Sequence, residues 1–286
     1  MMKDAVDGAG RQPTTGAVPA AEAMTGLRVA VVGDNTIDRF LGEDPHDLIG
    51  GNAVNVAVQL ARAGHEVAYY GAVGPDDDGR RVRDALVAQG VDVHGLVTQD
   101  GVTAVTEIVR SASGERHFAR EDFGVTAHYV PETAHLDEIA EFAWVHIGMQ
   151  PESAQVRARL LERSPELHLS QDSSVSPGHN DMYVSFLSGG EDADADSLAD
   201  EILEAGAQIA IVTLGSAGAY ARERGGAPQR VAALPVDVVD TTGAGDSFIA
   251  GFISAHLAGA DLRASMERGA QFAARTCSHV GGWPQT

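Results

Sequence analysis

Between Leu27 and Gly90 a strand-like run alternates with a helix-like run twice, and this alternation restricts the fold more than any other feature of the chain. LRVAVVGD is an apolar run that ends in a turn. NAVNVAVQLARAG places Val54, Ala57, Val58 and Ala61 at i, i+3, i+4 and i+7 and stops at Gly64. EVAYYGAVG then reads as a second strand and DGRRVRDALVAQG as a second helix. Parallel strands need long crossovers, so this order predicts an α/β fold with a mostly parallel sheet and helices on its faces. The rhythm resumes with FAWVHIG, a helix near Ser153 to Arg163, ELHLSQD, MYVSFLS, a helix near Asp196 to Ala205, and AQIAIVTLG. A strand pair, GAYARER and PQRVAALP, precedes DTTGAGDSFIAGFISAHLAG and a last helix from Asp261 to about His279. Asn35 to Leu48 reads as a polar connection. Residues 91–120 break the rhythm: VDVHGLVT, VTAVTEIVR and ERHFAR are strand-like, Ser111 to Gly114 is a hairpin turn signal, and the three read as an antiparallel excursion.

Composition removes whole classes of function. With 20 Lys+Arg against 41 Asp+Glu the net charge is -21, which excludes nucleic acid and anionic membrane as expected partners. Lys3 is the only lysine, so a phosphate-loop lysine, a protein-kinase strand lysine, a pyridoxal Schiff base and an S-x-x-K nucleophile are all excluded. Cys277 is the only cysteine, which rules out a disulfide within the chain and a multi-cysteine zinc site; it reads as a small buried helix residue. The eleven histidines show no paired ligand spacing. Residues 1–25 are rich in Gly, Ala, Pro and Thr and lack both a structural period and the apolar core of a secretory signal. They are expected to form a flexible tail before one domain over 26–286, and the expected location is the cytoplasm.

Four segments can carry chemistry. Asp240-Thr241-Thr242-Gly243-Ala244-Gly245-Asp246 is a polar glycine turn running straight into an apolar helix striped by Phe248, Phe252 and Ala255. The amides of Gly243, Ala244 and Gly245 at such a helix start suit an anion. Asp246 beside them suits either a base that takes a proton from a hydroxyl or a first-turn residue favoured by the helix dipole. Gly50-Gly51-Asn52-Ala53-Val54-Asn55 presents two amides on one face of a first helical turn. They suit a ligand with several hydroxyls, although Asn52 could equally cap its helix. Gly33 to Asp38 lies at the carboxyl end of the first strand, where open α/β sheets bind ligands, and Thr213-Leu214-Gly215-Ser216-Ala217-Gly218 is a strand followed by a Gly/Ser turn. Two acidic stretches read as solvated helix starts, Asp76-Asp77-Asp78-Gly79 and Glu191 to Asp196.

In this order the four segments resemble the ribokinase-like (PfkB-type) carbohydrate kinases over Leu27 to Trp283, with DTTGAGDSF the most specific motif and GGNAVNVAVQLARAG, AVGPDDDG and TLGSAG in step with it. GDNTID, GGNAVNVAV, GVTA, VTLG, GAGDSFIAGF and HVGGW look most like the branch that phosphorylates fructoselysine. The resemblance implies a three-layer α/β/α sandwich with a small β-lid drawn from segments near 39–48 and 91–120. It implies that Asp38, Gly51, Asn52 and Asn55 hold sugar hydroxyls and that Thr213, Gly215, Ser216 and Gly218 contact ATP. Gly243, Ala244 and Gly245 would form the anion hole and Asp246 would be the base. Asp240 and Thr242 match positions for a monovalent cation such as K+. The family's N-x-x-E element reads Ser188-Gly189-Gly190-Glu191, which keeps Glu191 for a Mg2+ network and loses the asparagine. A homodimer through the lid is a further expectation. The expected reaction is transfer of the ATP γ-phosphate to a primary hydroxyl of a sugar or sugar-amine. The alternatives are a kinase for fructose, ribose, 2-keto-3-deoxygluconate or a nucleoside, or a non-catalytic sugar-binding protein of the same fold.

Overall fold

The structure, a computed structural model, describes residues 28–42, 45–110 and 116–285. The expected N-terminal tail and the turn at Ser111 to Gly114 lie outside them. A nine-stranded sheet forms the centre. Its parallel strands are β1 (Arg28–Val32), β4 (Glu66–Val73), β5 (Leu96–Thr98), β8 (Trp144–Ile147), β9 (His168–Asp172), β10 (Val184–Ser188) and β11 (Ile209–Thr213), and β12 (Ala219–Glu223) and β13 (Gln229–Val231) extend it antiparallel. The order is β13-β12-β11-β10-β9-β8-β1-β4-β5. Alternate residues serve opposite cores, which is why these strands read as unbroken apolar runs. From β1, Val29 and Val31 pack with α1 (Asn52–Arg62), α6 (Ala244–Leu257) and α7 (Leu262–Cys277), whereas Ala30 and Val32 pack with α3 (Thr133–Ile139) and α4 (Ser153–Arg163). From β11, Ile209 and Ile211 join the first core, and Ala210 and Val212 join α5 (Ala195–Ala205). The result is the expected three-layer sandwich.

Strand β1 has β4 on one side and β8 on the other, so the chain reverses direction across the sheet there. The crevice at their carboxyl ends is where open sheets of this kind take ligands. A second, four-stranded sheet stands over it: β2 (Thr36–Leu41), β3 (His46–Gly50), β6 (Val105–Arg110) and β7 (Arg116–Asp122), in the order β3-β2-β6-β7. The polar connection expected over Asn35 to Leu48 is thus a hairpin of this sheet. A correction concerns residues 91–98: Leu96–Thr98 pairs parallel with Gly71 to Val73 at the edge of the large sheet, so the excursion begins only at Val105. Helix α3 was not foreseen, because seven residues are too few to display a helical period. Cys277 is half-buried at the end of α7 rather than buried. No helix among the described residues is long and apolar enough to cross a membrane.

Acidic caps hold helix starts as the two acidic stretches suggested: Asp76 accepts from the Gly79 N–H at 2.8 Å, and Asp194 accepts from the Ser197 N–H at 3.2 Å. Asp261 does the same for α7 through the Ala264 N–H at 2.8 Å. Asp261→Ala removes that bond and costs about 1 kcal/mol. The expected result is a thermal midpoint lower by about 2–4 °C with turnover unchanged, read by calorimetry and an activity assay.

Candidate active site

Helix α6 is buried continuously from Asp246 to Ala255, which fixes its start. Gly243 precedes it in the left-handed region, at φ +73°, and a Cβ there would stand 2.7 Å from the Gly282 Cα. The turn before it is held by Asp240: Oδ1 accepts from the Thr242 N–H at 3.0 Å and from its hydroxyl at 2.9 Å, and Oδ2 accepts from the Gly281 N–H at 2.8 Å. The Ala244 N–H donates to the Thr241 carbonyl at 3.1 Å, so of the three amides expected to face an anion this one is turned into the loop itself.

Asp246 is 6 % exposed. The Asn52 amide donates to its Oδ1 at 3.1 Å and the Asn55 amide to its Oδ2 at 2.7 Å. Burial pushes its carboxyl up to about 8, opposed by the Asn55 and Asn52 amides and assisted by the charges of Asp172 and Asp34. The two asparagines come from the first turn of α1, whose start is gripped by Asp34. Its Oδ2 accepts from the Asn52 N–H at 2.8 Å, and its Oδ1 accepts from the Ala53 N–H at 3.0 Å and the Met149 N–H at 3.2 Å. Asn52 is therefore not the cap of its helix; Gly51 occupies that position and Asp34 does the capping. Burial raises the Asp34 carboxyl despite these amides.

Asp38, Gly51, Asn52, Asn55, Asp240, Thr242, Gly243 and Asp246 line one cavity of about 700 Å3, together with Thr106, Ile108, Glu121 and Asp122 from the small sheet. Thr213, Gly215, Ser216, Gly218, Glu191, Ala244 and Gly245 line a second, of about 750 Å3. Val238 and Thr241 border both, so the two cavities meet at the turn before α6. The second cavity has apolar walls from Ala233 to Val236 and from Ala270, Ala273 and Ala274 of α7. Glu191 accepts from the Ser216 hydroxyl at 2.6 Å, which holds its exposed carboxyl below the usual range. Cys277 lines this cavity, and burial raises its thiol, which argues against a nucleophile. Among the described residues no three His, Cys, Asp or Glu side chains are grouped to hold a metal unaided.

Sequence reasoning passed over four contributors. Asp34 stood inside the Gly33 to Asp38 segment, at the turn that ends the first strand, without a role of its own. Asp172, buried at the end of β9, sits at the carboxyl edge of the sheet, which was the available signal. Gln59 donates to the Gly282 carbonyl at 2.7 Å, and Gln285 exchanges two hydrogen bonds with the Ile49 backbone at 2.8 and 2.7 Å. These tie the chain's last residues to α1 and to the edge of the small sheet.

A family model, "pfkB family carbohydrate kinase", matches residues 30–168 and 177–284. The chain is 33% identical over 268 residues to the fructoselysine 6-kinase of Escherichia coli (strain K12), covering 89% of this chain and 99% of that protein. It is 28% identical to the fructosamine kinase FrlD of Bacillus subtilis (strain 168), over 90% of this chain and 93% of that one. Its fold superposes with a TM-score of 0.80 on Arabidopsis thaliana ribokinase complexed with ribose and ATP, at 19% identity, covering 92% of this chain and 96% of the other. A family model that spans most of the chain, and relatives matched from end to end, make this protein a member of the pfkB family of carbohydrate kinases.

Proposed function

We propose that this ATP-dependent sugar kinase phosphorylates a primary hydroxyl of a sugar-amine of the fructoselysine type, with Asp246 as the general base. One observation carries the reading: a buried carboxylate, held by two amides, stands at the start of α6 where the two cavities meet. The first cavity takes the sugar, with Asp38, Gly51, Asn52 and Asn55 toward its hydroxyls. The second takes ATP against Thr213, Gly215, Ser216 and Gly218, its apolar walls suiting the base. The Gly243 and Gly245 amides and the dipole of α6 face the transferring phosphoryl group, whose reaction depends mainly on positioning and charge stabilisation. Asp246 accepts the hydroxyl proton as the oxygen attacks. The fructoselysine preference follows the named relatives and the resemblance of segments such as GDNTID and HVGGW, while the family-wide motifs fix the reaction better than the substrate.

Two ions fit the donor sets present. Mg2+ binds carboxylates while keeping water, and Asp172 and Glu191 on the nucleotide cavity wall would serve it, neutralising phosphate charge. The carboxylate and hydroxyl of Asp240 and Thr242 would serve K+ through remaining lone pairs, stabilising a turn they already hold. The small sheet, as a lid over the sugar, would exclude water. Leu41 and Val109, paired side by side on it and exposed, support a homodimer through this sheet, which sedimentation at micromolar concentration tests.

The test is coupled ADP release with Mg-ATP against fructoselysine, fructose, ribose, 2-keto-3-deoxygluconate and adenosine, in potassium and in tetramethylammonium buffers. A clear preference for fructoselysine supports the reading, and preference for another acceptor discards the substrate while keeping the base. With a base whose carboxyl titrates near 8, kcat/KM should rise about tenfold per pH unit below that value and level off above it. A flat profile from pH 6 to 9 would remove Asp246 from that role.

A further inference from the structure

The small-sheet wall of the sugar cavity carries a group that the proposed reaction does not use. Asp38 of β2 pairs in register with Thr106 of β6, and Thr106 pairs with Glu121 of β7. Directly paired residues share a face, so the three form one row across the small sheet, and all three line the cavity. Strands lie about 4.8 Å apart, which puts Glu121 about 10 Å along the row from Asp38. That is the scale of a ketohexose carrying an amine on its first carbon.

Among the described residues the cavity lining holds six carboxylates, Asp34, Asp38, Glu121, Asp122, Asp240 and Asp246, and no Lys, Arg or His. Most have partners: Asp34 caps α1, Asp240 ties the turn, Asp246 receives two amides, and Asp122 accepts from the Gly124 N–H at 3.1 Å and from Arg120 at 2.8 Å. The Glu121 side chain has no hydrogen bond or ion pair among the described residues and is exposed at the mouth. With six carboxylates among the described residues of its wall and Glu121 unengaged there, the cavity matches a ligand that brings N–H donors and positive charge.

We infer that Glu121 is a specificity residue that binds the protonated amine of the substrate, at the end remote from the hydroxyl phosphorylated beside Asp246. This rests on the proposed sugar-side reading of the cavity and deepens it: the preferred class is an ammonium-bearing sugar, with neutral sugars bound more weakly and sugar phosphates repelled. The row explains why the selection sits on the small sheet. A residue on this sheet meets the substrate only when the sheet lies over it, so recognition of the amine and covering of the sugar act together.

The experiment compares wild type with Glu121→Gln and Glu121→Asp, using fructoselysine and fructose as probes. Both KM and a calorimetric Kd for each sugar are measured at low and high salt. Glu121→Gln should weaken fructoselysine by about 3- to 10-fold with kcat within about 2-fold, leave fructose unchanged, and lose most of the difference in 1 M salt. Glu121→Asp should recover part of the affinity. Equal weakening for both sugars means a structural role for the strand and overturns the inference. So does a wild type that binds fructoselysine no more tightly than fructose. If wild type phosphorylates neither sugar, the substrate reading fails while the two Kd values still decide the role of Glu121.

Discussion

Asp246→Asn should lower turnover by about 10²- to 10⁴-fold and at the same time stabilise the folded protein at alkaline pH. The first effect follows from losing the acceptor for the hydroxyl proton. The second follows from burial. The folded-state carboxyl titrates near 8, above its ordinary value, so the folded chain holds the proton more tightly than the unfolded chain does. Its contribution is complete below the unfolded value and is lost as pH rises through about 8. Asparagine keeps the neutral shape and never ionises. The two chains should therefore melt together near pH 4, and the variant should melt progressively higher than wild type as pH rises to 8.5. Geometry permits the exchange: Asn52 and Asn55 each donate to one carboxylate oxygen, and an amide at position 246 needs only one of them to turn. Asn52 is the freer of the two, being half-buried, whereas Asn55 is 4 % exposed. Turnover near the wild-type rate removes the proton-acceptor role. Absence of the alkaline gain removes the account of why this carboxyl is poised near neutrality.

The same residue marks how far a sequence can be read. The period of α1 and the double burial of β1 are local patterns, and they placed the three layers because each side chain's partner is dictated by its own face. The turn at Asp240 to Asp246 was legible as a place for an anion from its glycines and the helix that follows, but Asp246 as a base only through the family resemblance. What joins Asp246 to Asn52 and Asn55 is contact across 194 and 191 residues of chain, and no local period encodes that. Two roles competed to explain Asn52, a contact to sugar hydroxyls or the cap of its own helix, and its amide donates instead to Asp246. Residues 96–98 misled because a three-residue strand carries no alternation from which to tell parallel from antiparallel. Glu121 went unnoticed because a charge on an exposed strand is ordinary until the register aligns it with Thr106 and Asp38.

The sharpest structural prediction lies at a residue with no functional group. Gly282 has Asn55 directly over its Cα: a Cβ there would collide with the Asn55 amide oxygen and lie 2.6 Å from its Cγ. Its carbonyl is fixed by Gln59, its neighbour Gly281 by Asp240, and Trp283 is buried at 2 % exposure, so the backbone has little room to retreat. Relief has to come from Asn55, whose movement takes its amide from Asp246. Gly282→Ala should therefore reduce kcat by about 10²-fold, the cost of misplacing a reacting group by about 1 Å, while the thermal midpoint falls only by a few degrees. Asn55→Ser should also lower kcat, since it withdraws the same amide, and it makes room for the methyl group. The double variant should then be no slower than Asn55→Ser alone, because the second substitution removes what the first collides with. Additive losses in the double variant would mean that Gly282 acts through the turn at Gly243, whose own Cβ position faces it, and not through the pair that holds Asp246.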